Sequence, residues 1–220
     1  GIFRAPQYSP DGKSLVYVLQ GGDDELGPAR VLKPGIYSLN LSQTAPDAQF
    51  PQGKFIAEEG DNPQFSVDGK RILASLGGEL FGSLDKKMIS YDLNGQDKRV
   101  LFTSKYANSW TPSPDGKWLA FNELHKAYIC EMPAYGQTID LSAGSKAFPM
   151  AQISKDAGYN LHWSGDSKKV HYTLGDEYFS IDLSNRFKFI EGAPDSLPPL
   201  PEKGQKIGLT LTSDQPQGTL

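Results

Sequence analysis

Thr111-Pro112-Ser113-Pro114-Asp115-Gly116-Lys117-Trp118-Leu119-Ala120-Phe121 decides the fold, because the chain writes the same pattern three more times. The other copies run from Pro6 to Tyr17, from Pro63 to Ala74 and from Leu161 to Tyr172. Their shared aspartates are Asp11, Asp68, Asp115 and Asp166, so the period is 57, 47 and then 51 residues. Repeats of this length belong to propellers, solenoids or arrays.

The turn chemistry narrows the choice. In Ser-Pro-Asp-Gly the proline presets a negative φ, the aspartate suits the next position and the glycine accepts the left-handed conformation that follows. The spacing predicts a β-hairpin with a type I turn and a glycine bulge. Each hairpin runs into an apolar segment, Leu15-Val16-Tyr17-Val18, Ile72-Leu73-Ala74, Leu119-Ala120-Phe121 or Val170-His171-Tyr172. A strand apolar on both faces lies inside a stack of sheets.

A second alternating segment follows in every unit, ending in Leu39-Asn40-Leu41, Tyr91-Asp92-Leu93, Cys130-Glu131-Met132 and Ile181-Asp182-Leu183. Two positions earlier stand Tyr37, Ile89, Tyr128 and Phe179, as a strand period of two requires. A weaker outer strand is predicted at Lys54 to Ala57, Arg99 to Phe102, Thr138 to Leu141 and Phe187 to Ile190. With the strand before each aspartate turn this makes four strands per unit. The predicted fold class is therefore all-β, a β-propeller of four four-stranded blades over residues 1–191, closed or as part of a larger ring. Residues 192–220, opening on Gly192-Ala193-Pro194-Asp195-Ser196-Leu197-Pro198-Pro199, read as a linker, with Ile207 to Thr212 as one strand leading toward a following domain.

Composition agrees with a turn-rich β protein. Gly and Pro make 39 of 220 residues, above the average near 12% and below the roughly 25–30% of low-complexity chains. A net charge of −4 with scattered Lys and Arg argues against nucleic acid as a partner. The single cysteine, Cys130, excludes an internal disulfide framework and leaves the compartment open. The chain has no apolar stretch of the roughly 20 residues that span a bilayer. It shows no initiator Met and no signal peptide, and reads as a piece of something longer.

Chemistry-bearing residues are few. His162 and His171 flank the fourth aspartate turn and suggest a two-histidine ligand pair. With Ser164 opposite Lys168, however, the imidazoles point to opposite sides of the sheet, whereas a two-residue loop would put them on one side. His171 occupies the position of Val16, Leu73 and Ala120, so a hydrogen-bonded core histidine is expected. Cys130 aligns with Leu39, Tyr91 and Ile181 and reads as a buried apolar residue rather than a nucleophile. The acidic run Gly21 to Glu25 lacks calcium-loop spacing and reads as a solvated loop. The four turn aspartates recur because the turn needs them. No Gly-x-Ser-x-Gly elbow or His-Glu-x-x-His motif is present. The expectation is no catalytic residue, no metal ligand and no cofactor in this chain. Insertions at residues 21–35 and 76–87 open opposite the aspartate turns, and any binding is expected on that face.

The Ser-Pro-Asp-Gly-Lys units with their following strands resemble TolB-like repeats, relatives of WD40, over residues 6–190. Val67 for Pro and Ser167 for Gly depart from the pattern and weaken two turns. Ile139 to Ser142, Tyr159 to Ser167, Glu191 to Asp195 and Ile207 to Leu211 further resemble the end of the propeller in large bacterial proteins that continue into a metal-dependent amidohydrolase domain. The resemblance implies an exported or periplasmic parent hydrolase whose metal ligands lie beyond Leu220. It implies a non-catalytic segment that scaffolds or gates that domain, its partner in the same polypeptide. Such propellers usually have six or more blades, so an open arc would expose blade faces and favour self-association. The rival readings are an autonomous binder of a protein or peptide, with a pocket at residues 21–35, 76–87 and 143–160, and the accessory propeller of a serine peptidase. A propeller lyase or metalloenzyme with its site on the ring axis ranks last, since it needs converging His and acidic groups.

Overall fold

Each aspartate turn closes on the same set of bonds in the computed structural model, which describes residues 2–20, 33–43, 53–77, 85–132 and 136–208. Ser9, Ser66, Ser113 and Ser164 each donate their hydroxyl to the aspartate two residues on, at 2.6 Å. The same Oγ accepts the amide of the residue five positions on, at 2.9–3.0 Å. The carboxylate accepts the lysine amide that follows the turn. The serine hydroxyl thus stands in for a ladder carbonyl, and the loop holds four residues where the type I plus bulge reading predicted three.

Four antiparallel sheets follow. Blade one is β1 (Phe3–Tyr8), β2 (Ser14–Leu19), β3 (Gly35–Asn40) and β4 (Lys54–Ala57), side by side in that order. Blade two is β5 (Asp61–Phe65), β6 (Arg71–Leu76), β7 (Lys86–Asp92) and β8 (Arg99–Ser104). Blade three takes β9 (Ala107–Pro112), β10 (Trp118–Glu123) and β11 (Lys126–Glu131). The chain then makes β12 (Ile139–Asp140), which leaves the blade to pair parallel with β8, and returns as β13 (Met150–Gln152), the outer strand. Blade four is β14 (Tyr159–Trp163), β15 (Lys169–Leu174), β16 (Glu177–Asp182) and β17 (Gln205–Lys206).

Two expected outer strands are thereby corrected. Thr138 to Leu141 does not edge blade three, because Leu141 is fully buried in the core between blades two and three and its amide bonds Thr103 O at 2.8 Å. Phe187 to Ile190 is not a strand either. Phe187 and Phe189 both stack on Trp118, at 4.9 and 6.2 Å between ring centroids, which a turn allows and an extended strand, with side chains two apart on one face, would spread. The segment expected to be a linker supplies the missing edge as β17, so blade four extends past the boundary drawn at Glu191 to Lys206.

Each pair of successive blades shares an apolar core. Val16 and Val18 meet Ile72, Ala74 and Ile89; Leu73 and Met88 meet Leu119, Phe121 and Cys130; Ala120 and Ile129 meet Val170, Tyr172 and Phe179. Three cores therefore join four blades. Among the described residues no apolar cluster joins blade one to blade four. The outward face of blade one carries its own cluster of Leu15, Tyr17, Leu19, Tyr37, Leu39 and Phe55. Among the described residues the blades form an arc.

The innermost strands share a feature that the sequence hid. Ala5, Asn62, Ser109 and Asn160 each lie six residues before the turn aspartate, and all have φ between 47° and 55°. The ladder slips at each of these positions. A bulge in every inner strand bends it and frees backbone groups from the ladder. Ala, Asn and Ser share no single turn signal, so the pattern shows only in the folded chain.

Candidate functional site

The face opposite the aspartate turns holds a cavity of about 620 Å³ between the first three blades. Its wall includes Arg4, Glu58, Asp61, Asn62, Leu76, Lys86, Lys87 and Ser109. Asn62 and Ser109 are bulge residues, so the inner-strand bulges bring backbone to the cavity wall. Arg4 pairs with Asp61 at 3.1 Å and Lys33 with Glu58 at 3.1 Å, while Lys98 pairs with Glu59. The site is a concave surface of paired opposite charges, suited to holding a polar or zwitterionic chain rather than to moving a proton. The described part of the 76–87 insertion lies at its edge, as expected. Residues 21–32 and 78–84 lie outside the described residues, the acidic run Gly21 to Glu25 among them. Residues 143–160, expected in the same wall, are not in it.

A second cavity, of about 690 Å³, opens on the turn side between blades two and three. Asp68, Arg71, Arg99 and Thr138 are at its wall. Arg71 and Arg99 share Asp97, at 2.8 and 2.5 Å, and hold its carboxyl below the usual range, Arg99 first. It was not legible in the sequence, because Gly136, Gln137 and Thr138, which lead into β12, close it from an unexpected position.

The turn aspartates are structural. Serine hydroxyls, then lysine amides, hold the carboxyls of Asp11, Asp68 and Asp166 below their ordinary value. The turns also line up along the arc. The Asp115 amide donates to Ser167 Oγ at 3.0 Å, and a side chain at Gly116 would meet Val67 at 3.3 Å. The two departures from the motif therefore sit at seams between blades, and their turn bonds remain, Gly69 to Ser66 at 2.8 Å and Ser167 to Ser164 at 2.9 Å. Ser167 adopts φ +60° in place of glycine.

Cys130 is fully buried between blades two and three, and burial, then Glu131, pushes its thiol up to about 12. That is an inert apolar side chain, as its alignment with Leu39 indicated.

The histidines overturn the register argument. Ser164 pairs with Lys169, not Lys168, so His162 stands directly opposite His171 on the same face. Their rings stack at 5.1 Å, and Tyr178 stacks on His171 at 5.3 Å. His171 is half-buried, and its Nδ1 is buried with no hydrogen-bond partner, so the hydrogen-bonded core histidine is also corrected. Its counterparts Val16, Leu73 and Ala120 are packed against a following blade, whereas among the described residues His171 joins no apolar core. Burial, then the neighbouring His162, lowers its pKa. Among the described residues no group of three or more His, Cys, Asp or Glu converges, and no helix is long and apolar enough to cross a membrane.

No protein-family model matches the chain, and no curated protein matches it in sequence. Solved structures do. A TolB protein from Agrobacterium tumefaciens superposes with a TM-score of 0.55 at 17% identity, over 83% of this chain and 58% of that one. Prolyl oligopeptidase B from Galerina marginata superposes with a TM-score of 0.51 at 15% identity, over 83% of this chain and 27% of that one. The chain thus spans little more than half of the first structure and about a quarter of the second. Repeat, blade and superposition agree that this chain has the TolB-like β-propeller fold.

Proposed function

We propose that these blades are a non-catalytic part of a larger propeller that scaffolds, or controls access to, a hydrolase domain of the same polypeptide. The observation that carries the reading is that, among the described residues, three cores join four blades, while Tyr17, Leu19 and Tyr37 form a separate buried cluster on the side of blade one away from blade two. Fold alone does not choose a function, and the amidohydrolase class and an exported location rest on the resemblance of the segments at 139–142, 159–167 and 191–195. The TolB and prolyl oligopeptidase superpositions support a propeller that serves as one domain among others.

The test compares this chain with a longer polypeptide carrying the next domain, by light scattering and thermal melting. The reading expects the 24.1 kDa chain to self-associate alone and the longer one to melt higher as a defined species. A monomeric short chain whose melting is unaffected by the added domain would overturn it.

A second reading has its own observation. The cavity of about 620 Å³ with paired charges suits a peptide, and in that case the chain binds on its own. Saturable binding from a mixed-charge peptide library that Arg4→Ala weakens supports this reading.

A further inference from the structure

The outward face of blade four differs in kind from its equivalents. At the positions where blade one has Val16, Val18 and Ile36, it has His171, Thr173 and Tyr178, the last two directly paired. Two of the chain's three histidines are opposite each other on adjacent strands, with a tyrosine ring against them.

The hydrogen bonds orient these groups. His162 Nδ1 lies 2.8 Å from Asn160 O. A carbonyl only accepts, so Nδ1 carries the proton and the Nε2 lone pair is free to bind. Tyr178 OH sits 3.2 Å from that Nε2 and donates to it. An imidazole whose second nitrogen is anchored to a backbone carbonyl is the arrangement in which proteins present histidine to a metal. Asn160 is the bulge residue of β14, at φ +55°, so the inner-strand irregularity sets this ligand's direction. His171 supplies the second imidazole, and its buried Nδ1 lacks any partner.

We propose that His162 and His171, with the Tyr178 hydroxyl, form a surface site for a borderline divalent cation of the zinc or copper type. Two imidazoles favour such ions over calcium or magnesium. The cation takes the His162 Nε2 lone pair in place of the tyrosine proton, and rotation of the His171 ring brings its nitrogen to the same ion. Water, or a group from whatever covers this face, completes the coordination. Lys169 and Asp182 are the nearby charges on the face and pair with each other at 3.6 Å.

The test is calorimetric titration of the chain with Zn²⁺ and with Cu²⁺, alongside imidazole nitrogen NMR. One cation per chain is expected, Cu²⁺ the tighter. His162→Gln and His171→Val, the latter the residue of blade one, should each weaken binding about tenfold or more, and Tyr178→Phe less. His125→Gln should leave it unchanged. Zn²⁺ should shift the resonances of His162 and His171 in the unaltered chain, a readout that holds even where a variant folds poorly. Absence of those shifts, or binding that survives the loss of both histidines, overturns the proposal.

Discussion

Ser113 is fully buried and does two tasks with one oxygen, donating to Asp115 and accepting from the Trp118 amide. Ser113→Ala leaves that buried amide without a partner, so a loss of about 1–3 kcal/mol is expected in urea unfolding. The turn carboxylates set an acid limit as well. Because Asp11, Asp68 and Asp166 titrate below the ordinary 3.8 in the folded chain, their stabilisation is present above that value. It is lost as pH falls through the lower folded value. Denaturant midpoints should therefore hold down to about pH 5 and drop below it, and Asp68→Asn should flatten the drop. A midpoint that rises on acidification would contradict the turn bonds. Cys130 offers a simpler check. With its thiol pushed up to about 12 and no exposed surface, it should resist a disulfide reagent at pH 8 and react on unfolding.

Elements depend on segments that lie outside their own repeats. Leu141, just after β12, fills the core between blades two and three, and Leu141→Ala should cost about 2–5 kcal/mol. Gly95, in the turn between β7 and β8, sits at φ +79° with Ile56 O where a side chain would go. Lys54 reaches the same turn, bonding Leu93 O at 3.0 Å. Gly95→Ala should thus loosen the seam of blades one and two, at a cost of about 1–3 kcal/mol in a melting experiment. The tail is likewise structural. Arg186 donates to Pro198 O at 2.6 Å, and Lys155 pairs with Glu202 and Lys206 with Asp176. A chain ending at Glu191 should show faster amide exchange in β16 than one ending at Gly208, since β16 then becomes an edge.

At the scale of the whole molecule the two ends of the arc are unlike. Blade one ends in aromatics, a buried Tyr17 stacked on a buried Tyr37 at 5.9 Å and an exposed Phe3 against Tyr17 at 5.6 Å. Blade four presents histidine, threonine and tyrosine. Association driven by the first end strengthens with sulfate. The apparent mass in light scattering should therefore rise with ammonium sulfate and fall in Phe3→Asp. A mass that stays at 24.1 kDa throughout would mean that this face needs no cover.

The repeat, the four blades and their two inner hairpin strands were legible because each rests on local chemistry. A turn needs Ser, Asp and Gly at fixed offsets, and a strand inside a stack needs alternate residues apolar, whatever surrounds it. The inertness of Cys130 followed in the same way, from its place in that alternation. Tertiary structure decided what local chemistry leaves open. The outer edges went to β13 and to β17, because Leu141 and Phe187 found larger apolar seams than an edge strand offers. The inner bulges fall on one Ala, one Ser and two Asn, which share no single demand for a left-handed residue, so they emerge only where each inner strand slips against its partner. The histidine pair turned on a single residue of register. A serine hydroxyl replaced one ladder carbonyl, lengthened the loop by one and brought two imidazoles to the same face, where His162 is exposed and His171 half-buried.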